Sequence, residues 1–132
     1  MATKASRIAV VDDDPFVLRG LGRLLRSAGF DVSTYASGAE FLIAEVDAET
    51  DCVVLDLHMP QTTGFEVQVQ LAKRGRGTPV IVITGDDTPE AQSRALRLGA
   101  KGYFGKPVDE KTLLTAIAAA ISDRSPNESQ RP

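Results

Sequence analysis

The sequence has no tryptophan, one cysteine and one histidine in 132 residues. Cys52 therefore forms no internal disulfide and has no second thiol for redox chemistry. His58, equally alone, builds no multi-histidine metal site. No apolar run approaches the ~20 residues of a membrane-spanning helix, and Met1–Arg7 lacks the apolar centre of a secretion signal. Basic charge is not in excess: 15 Lys and Arg face 18 Asp and Glu, for a net charge of -3. That balance is unlike the basic surface of proteins that hold nucleic acid or anionic membranes. No GxxxxGK[ST] segment offers a phosphate-cradling loop for ATP. The first apolar run is followed by carboxylates, where a dinucleotide fingerprint needs glycines. What is present is ordinary for a globular chain, with 42% hydrophobic and 25% charged residues. At roughly 100–200 residues per domain, the length holds one. The expectation is a small soluble domain of the cytoplasm that binds neither membrane nor nucleic acid directly.

Five short apolar runs, Ile8–Val11, Val32–Tyr35, Cys52–Leu57, Val80–Thr84 and Gly102–Phe104, are mostly rich in Val and Ile and bounded by Gly, Pro or Asp. They read as buried strands. Helical stretches alternate with them. Leu21, Leu24, Leu25 and Ala28 form one stripe ended by Gly29. Ser37–Glu40 and Thr63–Glu66 read as capping boxes, with Gly75 closing the second of these helices. Thr88-Pro89 supplies an N-cap and an N1 proline, and Asp109 caps a last helix carrying Leu113, Ile117 and Ile121. Periodicity stops at Ser122. The reading is a domain over 1–122 and a flexible polar tail or truncated linker over 123–132.

Five strand–helix repeats imply a parallel sheet covered on both faces. The chain is far too short for an eightfold barrel of about 250 residues, so the fold class is α/β with a doubly wound open sheet. Functional groups in such sheets gather beyond the carboxyl ends of the strands. There the sequence places Asp12-Asp13-Asp14 after the first strand, Asp56 after the third, Thr84 after the fourth and Lys106-Pro107 after the fifth. Three acids after a strand are often only a turn, and Pro15 suits Asp14 to capping the next helix. Crowded carboxylates, however, repel one another unless a cation sits among them. A hard ion with oxygen ligands fits: Mg²⁺, with Mn²⁺ the other candidate. A metal, the Lys106 ammonium and the Thr84 hydroxyl together suit an incoming phosphoryl group. A carboxylate can be its nucleophile, and Asp56, alone at the end of the central strand, is the best placed.

The segments Val10–Pro15, Val54–Pro60, Val82–Gly85 and Tyr103–Pro107, in this order, resemble the receiver domain of bacterial two-component response regulators. The resemblance spans about Arg7 to Ser122. It implies a flavodoxin-like five-stranded sheet in the order 2-1-3-4-5 with five helices, and a phosphoryl group accepted by Asp56 from a sensor histidine kinase or a phosphotransfer protein. Asp13 and Asp56 would ligate the metal, Asp12 mainly through water, and His58 would offer its backbone carbonyl. Thr84 and Lys106 would contact the phosphoryl oxygens, Tyr103 would follow Thr84 during switching, and the Lys106–Pro107 peptide would be cis. Partners would meet the face bearing Arg94, Arg97, Lys101 and Tyr103, with the chain a monomer or a phosphorylation-dependent dimer. One departure is Leu18, which stands where the family usually has arginine. Gly20 and Gly22, inside the first helix, suggest either close packing or a soft helix.

Further expectations rest on single residues. His58, two after Asp56, and Asp86, two after Thr84, would face each other across the pocket and hinder attacking water. Cys52 is read as a small core residue, and Lys73, Arg74 and Arg76 as a solvated loop run. Two other functions compete with the switch. A Mg²⁺-dependent phosphohydrolase using an aspartyl-phosphate would need a second carboxylate where His58 stands. A receiver-like binding module would work without phosphorylation. No DNA-binding helices follow Ser122, which suggests a stand-alone regulator or the excised receiver of a longer protein. Six of the 18 acids, Asp12, Asp13, Asp14, Asp56, Asp86 and Asp87, fall near the pocket. Without them fifteen cations face twelve acids, or +3, so the acidity is local to the site.

Overall fold

A computed structural model describes residues 5–46 and 49–129, with side chains as far as Arg124. Strands and helices alternate throughout: β1 (Arg7–Val11), α1 (Pro15–Ser27), β2 (Asp31–Tyr35), α2 (Gly38–Glu45), β3 (Cys52–Asp56), α3 (Gly64–Arg74), β4 (Val80–Thr84), α4 (Pro89–Arg97), β5 (Gly102–Gly105) and α5 (Glu110–Ser129). All pairings are parallel, in the order β2-β1-β3-β4-β5. The open parallel sheet is the one the strand–helix alternation predicts, and its order is the one the family resemblance implies.

The period-2 geometry of a strand splits each apolar run between two cores. Ala9 and Val11, Val53 and Leu55, and Val80 and Val82 pack with Phe41, Val67, Leu71 and Ala95. Their neighbours Ile8 and Val10, Cys52 and Val54, and Ile81 and Ile83 pack on the other side with Leu25, Leu113 and Ile117. A continuous run of Val and Ile is what a strand buried on both faces requires. Cys52 is fully buried there, and burial pushes its thiol up to about 12.

Local chemistry starts the helices where the sequence places them. Asp14, Ser37, Thr63, Thr88 and Asp109 each accept a backbone N–H of the first turn. The reciprocal capping box forms at Thr63, where Glu66 accepts the Thr63 N–H at 3.0 Å; at Ser37 the forward bond to Glu40 is the one described. Gly75 ends α3 at φ 70, a left-handed geometry that disfavours side chains. Gly22 is buried beside Arg26 and Thr34, whereas a side chain at Gly20 would meet open space, so packing accounts for only one of the two helix glycines.

Two expectations need correction. The tail boundary at residue 122 is not a helix end, because α5 continues to Ser129. Arg124 ties this extension down, donating to the carbonyls of Thr50 at 3.3 Å and Arg76 at 3.0 Å. Apolar periodicity falls silent once a helix passes the sheet, although polar contacts still hold it. The rest of the tail, 130–132, lies outside the described residues.

The run Lys73, Arg74 and Arg76 is not a solvated loop either. Lys73 and Arg74 belong to α3, and Arg74 and Arg76 clamp Glu45, which is 1% exposed, at 2.7 and 3.0 Å. Arg76 also donates to the carbonyls of Glu45 and Val46. Glu45 lies four residues after the core residue Phe41, hence on the same inward face of α2. Replacing Arg74 and Arg76 together by Met strands a buried carboxylate and is expected to cost about 3–5 kcal/mol in chemical denaturation, against far less for Glu45→Gln.

Candidate functional site

The parallel sheet presents the carboxyl ends of β1, β3, β4 and β5 along one edge. Asp12 follows β1 and is fully buried, while Asp56 closes β3 at 3% exposure and Thr84 closes β4, also buried. Asp13 is exposed at the rim. Asp12, Asp13 and Asp56 each bring a carboxylate oxygen within 4.8 Å of the others. Lys106, just after β5, reaches across with Nζ 2.7 Å from Asp12 Oδ2 and 3.5 Å from Asp56 Oδ1. Its peptide to Pro107 is cis.

The loops are shaped to leave these groups in place. Asp12 Oδ1 accepts the Asp14 N–H at 2.9 Å, which turns the chain into α1. Asp14 itself caps that helix and is not part of the carboxylate cluster. At the start of α3, Gly64 lies so close to the backbone after β3 that any Cβ would strike the Asp56 carbonyl and lie 2.7 Å from Leu57 Cα. Only glycine permits this approach.

Electrostatically the site is short of positive charge, with three carboxylates against one ammonium. Burial, reinforced by the Asp12 carboxylate, lifts the Asp56 pKa above its ordinary 3.8 despite the opposing pull of Lys106 and the His58 N–H. Burial would lower Lys106, but its bonds and attraction to Asp12, then Asp56, outweigh this and hold its ammonium above the ordinary range. An all-oxygen cluster with two uncompensated negative charges suits a hard divalent ion. Asp12, Asp13 and Asp56 are the residues that could hold it.

The remaining predicted residues fall into two groups. His58 and Asp86 do face each other at the mouth, with Nε2 3.8 Å from Oδ2 and both side chains more than half exposed. Thr84 Oγ1 accepts the Asp86 N–H at 3.1 Å, tying the strand end to the next loop. Tyr103 pairs with Val82 in the sheet and packs into the same core as Val82. Thr84, two residues after Val82, therefore shares its face with Tyr103. Burial, with Asp87 nearby, pushes the Tyr103 phenol above its ordinary value. The Arg94 guanidinium lies 4.2 Å from the centre of the Phe65 ring on α3, a cation–π contact. Arg97 and Lys101 are exposed. Arg19, beside the departure at Leu18, lies over Phe16 at 5.6 Å and takes no part in the cluster.

Sequence reading missed Gln68, a buried amide on α3 whose Nε2 donates to the Ala95 carbonyl at 3.0 Å. Its signal was available, since 64, 67, 68 and 71 form an inward helical stripe.

A carboxyl whose folded pKa lies above its unfolded value binds its proton more tightly in the native state. That contribution is present at low pH and is lost as pH rises from about 3.8 through the folded value. With chelator at neutral pH, Asp56→Asn should melt several degrees above wild type, and the gap should close on acidification. Added Mg²⁺ should raise the wild-type Tm more than that of the variant.

Comparison with known proteins agrees with this geometry. The family model for the response regulator receiver domain matches residues 8–118. Response regulator protein TodT of Pseudomonas putida is 36% identical over 132 residues, 100% of this chain and 58% of its own length. Transcriptional regulatory protein FixJ of Azorhizobium caulinodans is 36% identical over 86% of this chain and 54% of its own length. This chain thus spans a little over half the length of these relatives. Among solved structures, a CheY-like receiver domain protein from Methanospirillum hungatei superposes with a TM-score of 0.89 at 27% identity, covering 94% of this chain and 99% of its own. Sheet order, strand-end cluster and family match converge, and the chain belongs to the response regulator receiver domain family.

Proposed function

We propose that this receiver domain is a phosphorylation-operated switch in which Asp56 accepts a phosphoryl group from a phosphohistidine. The observation that carries this reading is the Asp56 carboxylate at the end of β3, buried to 3% exposure, with Asp12 and the Lys106 ammonium around it. A carboxylate oxygen of Asp56 attacks phosphorus, the P–N bond breaks, and the departing imidazole nitrogen keeps the bonding pair. Mg²⁺ held by Asp12, Asp13 and Asp56, with the His58 carbonyl, would neutralise charge on the transferring group. Lys106 and the Thr84 hydroxyl supply the remaining positive potential and hydrogen bonding.

The aspartyl-phosphate adds about -1.5 to -2 charges where the site is already negative. Lys106 moves from Asp12 toward the new oxygens, and Thr84 is drawn in. Because Tyr103 shares a face with Thr84, repacking there carries the event to the β4–β5 surface and changes affinity for a downstream protein. Arg94, Arg97, Lys101 and Tyr103 are the residues of that surface. The donor is a sensor histidine kinase or phosphotransfer protein of the cytoplasm. A phosphohydrolase is disfavoured by His58, which occupies the place of a second carboxylate.

Incubation with acetyl phosphate and Mg²⁺ should add one phosphoryl mass to the wild type and none to Asp56→Asn. A gain that persists in the variant, or sustained turnover of phosphate esters, overturns the assignment. The proposed role of the His58–Asp86 contact is to hinder water attacking Asp56, so replacing both by Ala should shorten the phosphoryl lifetime several-fold. An unchanged lifetime by radiolabel decay rejects that role.

A further inference from the structure

The attachment of α4 combines small apolar contacts with two polar ones. Alanine methyl groups are its inward surface: Ala95 is fully buried, Ala91 packs beside it, and Ala100 follows just beyond the helix. Leu96, the larger apolar side chain, is 47% exposed. What α4 lacks in apolar area it receives as two contacts from α3. One is the Arg94 guanidinium over Phe65. The other is the hydrogen bond from Gln68 Nε2 to the Ala95 carbonyl at 3.0 Å, inside the core.

That carbonyl already accepts the Ala100 N–H at 3.0 Å, the bond that closes the C-terminal end of α4. Gln68 therefore binds the helix end itself. It does so incompletely, because Gln68 is 2% exposed and its Oε1 has no hydrogen-bond partner among the described residues. A leucine would fill similar space without burying an amide carbonyl, and a half-satisfied buried amide is a poor source of stability. It does discriminate between positions of the helix it touches.

The opposite end of α4 is tied to the site. Thr84 Oγ1 accepts the Asp86 N–H at 3.1 Å, and two residues later the Thr88 hydroxyl accepts the Ala91 N–H at 3.1 Å to cap α4. These two hydrogen bonds and the short segment between them join the Thr84 hydroxyl to the first turn of the helix. One end is joined to the site, and at the other the one hydrogen bond from a side chain of α3 is the incomplete amide of Gln68, beside the Arg94–Phe65 contact.

We infer that Gln68 is a positioning residue that latches α4 against α3 in the unphosphorylated state, and that the latch opens when Thr84 is drawn to the phosphoryl group. This rests on the phosphoacceptor reading of Asp56. Removing a contact made only in the resting state raises the population of the competing state. A single net hydrogen bond shifts such an equilibrium by roughly three- to tenfold.

The test measures affinity for beryllofluoride with Mg²⁺, used as the phosphoryl mimic. Binding is followed by tyrosine fluorescence, which only Tyr35 and Tyr103 supply because tryptophan is absent. Gln68→Leu should bind roughly three- to tenfold tighter than wild type. Its Ala100 amide should exchange with deuterium faster before beryllofluoride is added, and as fast as wild type afterwards. Unchanged or weaker affinity in a folded Gln68→Leu overturns the latch, since the bond then serves both states equally. If Gln68→Leu fails to fold, Gln68→Met carries the same readout. Wild type that neither binds beryllofluoride nor gains mass from acetyl phosphate brings down the phosphoacceptor reading and the latch with it. Wild-type binding with no gain in the variants rejects the latch alone.

Discussion

Two carboxylates buried side by side, sharing one ammonium, are the constraint on which the rest of this molecule depends. Asp12 and Asp56 stand at adjacent strand ends, where the sheet holds their backbones in fixed register and the helices exclude water. Lys106 compensates only part of their charge, so the folded protein stores electrostatic stress at one edge. A cation or a phosphoryl group with its metal acts on that stress directly, which gives the ligand leverage over the fold around it.

A second buried carboxylate shows what a purely structural solution looks like. Glu45 is as deeply buried as Asp56, yet it meets two guanidinium groups at short range, and one of these also binds neighbouring carbonyls. That cluster is fully compensated and joins α2 to the end of α3, with Arg124 extending the hold to α5. It lies away from the strand ends that carry the site. The contrast between an over-neutralised carboxylate and an under-neutralised pair separates scaffold from site by charge alone.

Between them, α4 is fastened differently from the other helices. Large apolar side chains bind α1, α3 and α5 to the sheet, whereas α4 offers alanines. Its Thr88 cap sits four residues from Thr84, and its far end rests on Gln68. An element held by few and partly polar contacts is where a small displacement at the site can have two outcomes.

The alternation of apolar runs and caps was sufficient to read the layers, the parallel sheet and the strand ends that bear Asp12, Asp56, Thr84 and Lys106, because each follows from local periodicity and side-chain chemistry. The pairing of His58 with Asp86 was readable too, from matching offsets after adjacent strands. Helical spacing puts Glu45 and Gln68 on inward faces, but neither their partners nor those of Arg124 follow from periodicity, because the groups they bind lie far away in the chain. The contact of Arg94 with Phe65 was hidden for the same reason, since the ring belongs to another helix. Sequence alone determined which chemical groups reach the edge of the sheet. Only the tertiary structure decided which charges are compensated and which are left wanting, because that depends on partners distant in the chain and brought together by packing.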